Sequence, residues 1–268
     1  MLNASIVIFN QSVRTIKPLV SSLHASNLIS DIFLIDNSPS PNADFDELPV
    51  TYVFTGKNPG YGAGNNIALR ESIRKKIPYH LVLNPDVSFE PEILTELIEF
   101  MESHRDVGLL MPKILNPDDS IQYLCKLLPT PFDLIFRRFL PESWTRKRTE
   151  KFEMRASGYD KLMEVPYLSG CFMLLRTQSL EEVGLFDERF FLYPEDIDLT
   201  RRIHQKYRTV FYPKVSVVHS HERSSYKNGR MLRIHIVNMI KYFNKWGWIF
   251  DRERKKVNKN TLEMLNKM

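Results

Sequence analysis

The sequence predicts an α/β protein: a mostly parallel central sheet flanked by helices, followed by a basic helical tail. Three observations predict it. Short β-branched apolar runs recur, with segments of helical apolar spacing between them. Gly, Pro, Asn and Asp gather where those runs end. The charge is also unevenly divided, with 12 Lys/Arg against 4 Asp/Glu from Glu222 to Met268, leaving 25 against 28 for residues 1–221. A length of 268 residues suits one large domain with a tail, and a 43% apolar share supports a real core rather than disorder.

Taken in order, ASIVIF (4–9), DIFLID (31–36), VTYVF (50–54), YHLVLN (79–84) and VGLLMP (107–112) read as strands buried on both faces. Between them, Ile16, Leu19, Val20 and Leu23, then Ile67, Leu69 and Ile73, fall at helical spacing. PEILTELIEFMESH (91–104) opens a further helix with Pro where it is tolerated. Such alternation places helices on both faces with right-handed crossovers. Ligands then sit outside the carboxyl ends of the strands, where Asp36 and Asp86 both fall. Residues 130–160 break the pattern, mixing aromatics with seven basic residues, and read as an inserted, partly helical excursion. VPYLSGCFMLLR (165–176) returns to a strand, with Gly170 marking a bulge or a close backbone approach. FFLYPEDIDLTRR (190–202) starts a helix on three acids. TVFYP and VSVVH read as a short hairpin or two edge strands, and a last helix runs from Gly229 through Leu232, Ile236, Met239, Ile240 and Phe243.

Cys125 and Cys171 are far apart with no CxxC, so neither a disulfide framework nor a zinc site is indicated, and a reducing compartment fits. MLNASIVIFNQ reads as a strand rather than a charged leader, and no window approaches the roughly 18 apolar residues of a membrane span.

Several residues can carry chemistry. Asp86, on the tight Pro turn of NPD (84–86), can bind Mg²⁺ or Mn²⁺, or cap its turn. Asp36 can contact a ribose or base, or cap the loop after it. In GKNPGYGAGNN (56–66), Gly60, Gly62 and Gly64 permit close approach, the helix start offers N–H groups to an anion, and Asn58, Asn65 and Asn66 add amide donors; a plain loop is the other reading. Of Glu195, Asp196 and Asp198, one can face a cleft while the others cap the helix or pair with Arg201 and Arg202, since one cap suffices. His219 and His221 close VSVVHSH and can be metal ligands, phosphate donors or packed core residues. Ser224 and Ser225 just beyond offer donors that suit a diphosphate. Cys171 has no base beside it and reads as an apolar filler.

Taken together, IVIFN (6–10), LIDNS (34–38), NPGYGAGNN (58–66), LNPDV (83–87), YLSGCFMLLR (167–176), VGLFDERFFLYPEDIDLTRR (183–202) and VVHSHERSS (217–225) resemble glycosyltransferase family 2, within it the bacterial rhamnosyltransferase-like branch. The resemblance implies a GT-A fold over residues 1–225, with the 130–160 excursion inside it and a basic aromatic tail over 226–268. It implies inverting transfer of a sugar, rhamnose from dTDP-rhamnose first and UDP-linked sugars as the alternative, to a saccharide acceptor in cell-surface polysaccharide synthesis. By this resemblance Asp196 is the general base and Glu195 assists the acceptor. Asp86 holds Mg²⁺ or Mn²⁺ with His219 as second ligand, Asn84 standing where the family often has another acid. Asn10, Asp36, Asn58, Gly62, Gly64, Asn65, Asn66, Gly170, Ser224 and Ser225 line the donor and acceptor sides. The chemistry agrees: a divalent ion stabilises a departing diphosphate, and a poor hydroxyl nucleophile needs a carboxylate to take its proton.

Acceptors of this branch are often carried on lipid diphosphates at the inner face of a membrane. Basic residues interleaved with Phe132, Phe136, Phe139 and Trp144, and again with Trp246, Trp248 and Phe250, suit an anionic membrane surface or ordinary packing. A cytoplasmic protein, peripheral on that face, is expected. A nucleotidyltransferase lacks its basic Gly-rich signature near residues 7–14, and a nucleic-acid-binding module has no need of clustered acids.

Overall fold

The computed structural model describes residues 1–135, 137, 140–220 and 229–267. Its strands and helices, in chain order, are β1 (Leu2–Ile8), α1 (Val13–His24), β2 (Ile29–Asp36), β3 (Thr51–Phe54), α2 (Tyr61–Arg74), β4 (Tyr79–Leu83), β5 (Val87–Ser88), α3 (Ile93–Ser103), β6 (Val107–Leu115) and β7 (Cys125–Lys126). There follow α4 (Pro131–Leu134), α5 (Glu142–Phe152), β8 (Met163–Glu164), β9 (Tyr167–Leu168), β10 (Phe172–Arg176), α6 (Thr177–Val183), α7 (Glu195–His204), β11 (Arg208–His219), α8 (Gly229–Trp246) and α9 (Arg252–Leu265). The main sheet runs β3-β2-β1-β4-β10-β6-β11-β5, with β8 added on β11, and β7 pairs β9 separately.

All seven residues of β1 are buried, as a strand covered on both faces requires. α1 turns Ile16, Leu19, Val20 and Leu23 inward, and α3 turns Leu94, Leu97 and Met101 inward, each set at the spacing of one helix face. The sheet is mixed, because β10 enters antiparallel between β4 and β6. Polar groups are also buried beneath α2. Ser5 Oγ donates to Asn65 Oδ1 (2.7 Å), and His80 bridges Ser5 and Ser72 at 2.9 and 2.7 Å. Burial pulls the His80 pKa down to about 3, so the ring is neutral and serves as a buried hydrogen-bonding spacer.

The hairpin expected at TVFYP and VSVVH is one strand. β11 runs from Arg208 to His219 beside β6, with a register shift between Tyr212 and Ser216 absorbing the Pro213 segment. The 130–160 stretch contains α4, α5 and a short 3-10 turn, Arg155–Ser157.

The tail helices are docked on the body. Arg201 and Asp251 are 2% and 3% exposed at their side chains and form a two-pronged pair with both contacts at 2.8 Å, while Glu253 adds a contact at 2.7 Å. Asp198, fully buried, receives the Trp246 indole N–H (2.8 Å), Lys245 Nζ (2.6 Å) and Arg202 Nε (2.8 Å). Asn238 donates to the Leu192 carbonyl (2.9 Å), which fastens α8 to the segment before α7. Truncating Arg201 leaves the Asp251 carboxylate buried without its main partner, and such breakage costs about 3–5 kcal/mol. Arg201→Ala is therefore expected to lower unfolding free energy by that order in urea denaturation. A change within the scatter of surface mutants refutes the clamp.

Candidate active site

Parallel register brings the carboxyl ends of β1, β2 and β4 to one edge, with Ile8 beside Asp36 and Ile6 beside Leu83. A cleft of about 1170 Å³ opens there, its wall including Asn10, Asn37, Asn58 and Asp86, with Met231 and Ile234 of α8. Asn10 adopts a left-handed φ of 60° and donates its N–H to Ser38 Oγ (2.7 Å). Asp36 lies behind this wall, buried. Its Oδ1 accepts the Ser38 N–H (2.8 Å) and its Oδ2 accepts the Tyr52 hydroxyl (2.7 Å). It caps the loop and braces the edge, while Asn37 takes the place on the wall expected of Asp36.

The antiparallel pairing of β11 with β5 sets His219 opposite Val87 and therefore beside Asp86. His219 Nε2 is 3.2 Å from Asp86 Oδ1 and 3.2 Å from Asn84 Nδ2. Gln122 fixes the ring: its Nε2 donates to the His219 carbonyl (2.6 Å), which turns its Oε1 towards His219 Nδ1 (2.9 Å). Nδ1 then faces an acceptor, Gln122 Oε1, and Nε2 faces a carboxylate oxygen of Asp86. Such a pair suits a hard divalent ion between its members. Among the described residues no group of three His, Cys, Asp or Glu gathers that could hold a metal ion.

The turn 169–171 joins this edge to α7. Asn84 N–H donates to the Cys171 carbonyl (2.9 Å), and Gly170 N–H donates to Asp196 Oδ2 (3.0 Å). Asp196 Oδ1 accepts the Ile197 N–H (2.8 Å), and the Tyr167 hydroxyl lies 3.5 Å from Oδ2. A Cβ on Gly170 would come within 3.2 Å of Asp196 Cβ, tighter than ordinary contact. Burial raises the Asp196 carboxyl above its ordinary range, against backbone donors and the charge of Lys126. Glu195, 3% exposed, is raised further by burial and by Asp196, and its Oε2 has no hydrogen-bond partner among the described residues. The two acids are thus made unequal, with Glu195 holding its proton to higher pH. Burial of Cys171 lifts its thiol to about 12, with the charges of Asp86 and Asp196 adding to the rise.

The Gly/Asn loop works largely inward, a correction to the expectation for Gly62, Gly64, Asn65 and Asn66. Asn65 and Asn66 are fully buried: Asn65 Oδ1 accepts from Ser5, and Asn66 exchanges hydrogen bonds with the Phe186 backbone at 2.9 and 3.0 Å. Gly62 packs on Phe186 and Glu195, and Gly64 on Val7 and Asn37. Gly60 has φ +100°, and a Cβ there would overlap the Phe191 carbonyl. Asn58, by contrast, reaches the cleft. Asp198 pairs with Arg202, one of the roles expected for the acids that do not face the cleft, and in addition it anchors the tail through Trp246. Ser224, Ser225, His221, Phe136 and Phe139 lie outside the described residues.

Sequence reasoning passed over Gln122, Tyr61, Tyr167 and Lys126. Tyr61 donates to the Gly170 carbonyl (2.8 Å), and Lys126 Nζ stands 5.4 Å from the centre of the Tyr167 ring, its pKa lowered by burial and supported by Glu153 and Asp196. Gln122 and Lys126 belong to no motif, Tyr61 and Tyr167 sit inside motifs read for their other residues, and β7 and β9 are two residues each, too short for any period to show.

A family model described as glycosyltransferase like family 2 matches residues 41–233. The chain belongs to glycosyltransferase family 2. Membership makes it a glycosyltransferase acting on a nucleotide-sugar. It is 28% identical over 207 residues, 72% of this chain and 67% of the relative, to an N-acetylglucosaminyl-diphospho-decaprenol L-rhamnosyltransferase of Mycobacterium tuberculosis. To the rhamnosyltransferase WbbL of Escherichia coli it is 28% identical, over 68% of this chain and 69% of that one. Among solved structures, GalNAc-T7 with UDP, GalNAc and Mn²⁺ matches with a TM-score of 0.62 at 17% identity, over 83% of this chain and 43% of that one, and this likeness supports the GT-A fold.

Because Glu195 keeps its proton in the folded chain after the unfolded chain has lost it, it subtracts stability as pH rises above about 4.5, the usual glutamic acid range. Glu195→Gln removes that loss. The variant is expected to gain thermal stability relative to the parent between about pH 5 and pH 8, a difference that widens with pH in melting curves. A constant offset across that range contradicts the buried, protonated acid.

Proposed function

We propose that the protein is an inverting, metal-dependent glycosyltransferase. It moves a sugar, rhamnose from dTDP-rhamnose in the first instance, to a saccharide acceptor on a lipid carrier, in bacterial cell-surface polysaccharide synthesis at the inner face of the plasma membrane. The observation that carries this reading is the placement of Asp86 with His219, and of Asp196 with Glu195, on either side of the turn 169–171. The two relatives named as rhamnosyltransferases support the sugar, and the decaprenol of one supports a lipid-linked acceptor. UDP-linked galactofuranose, glucose or N-acetylated sugars are the second reading, favoured by the UDP of the GalNAc-T7 structure.

In this reading Asp86 and His219 hold Mg²⁺ or Mn²⁺. When bound, the ion neutralises charge gathering on the departing diphosphate. Asn10, Asn37 and Asn58 present polar groups to the nucleotide along the strand ends, with Asp36 bracing them. Asp196 takes the proton of the acceptor hydroxyl, and its raised pKa makes it the stronger base. Glu195 stays protonated beside it and offers a donor to the acceptor. Attack from the face opposite the diphosphate, in a single displacement, inverts the anomeric carbon and needs no second carboxylate nucleophile.

Asp196→Asn is expected to lower transfer by about 10²–10⁴-fold while calorimetric binding of the nucleotide-sugar persists. Loss of binding together with a collapsed melt would assign Asp196 a structural role instead. Gln122→Ala releases the His219 ring, so the Mn²⁺ concentration for half-maximal activity is expected to rise about 10–100-fold. An unchanged Mn²⁺ titration removes His219 from the proposed site.

A further inference from the structure

Helix α8 separates two surroundings. Its inner face buries Asn238, Met239, Tyr242 and Phe243 and places Met231 and Ile234 on the cleft wall. Its outer face exposes Arg233, Val237, Ile240, Lys241 and Asn244, spaced by three and four residues as one helical stripe. Val237 and Ile240 are 42% and 40% exposed. The stripe continues into the turn before α9, where Trp248, Ile249 and Phe250 stand consecutively at 38%, 69% and 88% exposure. Three adjacent large apolar side chains facing water are a feature of surfaces that meet a partner.

The turn is firmly held. On one side Lys245 and Trp246 are fixed to Asp198, and on the other Asp251 is fixed to Arg201. The Trp248 indole N–H donates to Asn244 Oδ1 (2.8 Å), which ties the tip to the stripe. Exposed cations flank it in the chain: Lys241, which donates to the Arg189 carbonyl, before it, and Arg252, Lys255, Lys256 and Lys259, the last beside Glu263, after it, whereas the nearby Glu253 is engaged by Arg201 and Gln205.

We infer that the outer face of α8 and the Trp248–Phe250 tip dock on an anionic lipid bilayer, the apolar side chains entering the headgroup boundary and the Lys and Arg side chains meeting lipid phosphates. Aromatic and aliphatic residues at a helix end, ringed by Lys and Arg, are the composition of an interfacial segment. A nucleic acid backbone gives Ile249 and Phe250 nothing to bury against. A second copy meeting this patch across a two-fold axis sets the same cations against each other. No helix among the described residues is long and apolar enough to cross a membrane, so attachment here is to the surface. The inference deepens the lipid-linked acceptor reading, because the same helix that would lie on the bilayer also walls the cleft.

The test is flotation of the full chain with vesicles of phosphatidylglycerol and phosphatidylcholine, and with phosphatidylcholine alone. The protein is expected to float with the anionic vesicles and to be released by high salt. The double variant Ile249→Ser, Phe250→Ser is expected to lose retention by about tenfold or more, with an unchanged melting temperature and unchanged nucleotide-sugar hydrolysis in solution. Equal flotation of the variant, or no flotation of the parent, overturns the inference. So does a concentration-dependent dimer that the double variant abolishes, which assigns the tip to a second copy. Nucleotide-sugar hydrolysis by the parent is scored without vesicles, so its absence sinks the transferase reading while leaving the docking result standing.

Discussion

Two adjacent carboxyl groups, Glu195 buried and Asp196 partly so, stand at the first turn of α7, and the segments packed around that turn offset the cost of keeping them there. Desolvation is the largest influence on both. Backbone N–H groups of Gly170 and Ile197 and the positive end of the α7 dipole offset part of it for Asp196. Such donors act only at close range, so the 169–171 turn must approach α7 through a residue with no Cβ. The 186–191 segment must likewise lie against the start of α2, where Tyr61 N–H donates to the Phe191 carbonyl at 3.0 Å. The tail is gripped by Asp198 in that same first turn and by Arg201 in the last turn, which fixes the far end of α7. A helix anchored at both ends can hold an unfavourable first turn that a free helix would relax.

This arrangement explains why the tail is part of the site's architecture. Sequence charge alone presents residues 226–268 as a basic appendage. Yet two of its three acids, Asp251 and Glu253, meet the one fully buried arginine of α7, and its Trp246 meets the buried Asp198. Most of the surplus cations are left on the outer surface.

The strand-helix alternation was legible because parallel strands buried on both faces are continuous apolar runs, and β1, β2, β3, β4 and β6 lie where those runs lie. β11 was not, since Pro213 and Lys214 interrupt its apolar pattern and a register shift carries the strand past them. Asp86, His219, Glu195 and Asp196 could be singled out because acids and imidazoles at element ends are conspicuous in a sequence. Their companions could not. Gln122 lies in an irregular segment, and its value arises only when β11 brings His219 beside it. The Asn65 and Asn66 amides misled for a physical reason: an amide that binds a ligand and one that pins two buried segments share one composition, and only burial separates them.

Asn84 illustrates how one side chain can set the chemistry of its neighbours. It occupies the position before Pro85 where the family often has another acid, and its Nδ2 lies 3.2 Å from His219 Nε2. With Gln122 Oε1 facing Nδ1, Nε2 can accept from the Asn84 amide. A carboxylate at residue 84 would face Nε2 with a lone pair rather than a donor. An amide there offers Nε2 a donor and adds no charge beside Asp86. In the proposed reading, Asp86 and His219 alone give a divalent ion few ligands. A donor diphosphate would add oxygens and charge, which would couple retention of the ion to the presence of the donor.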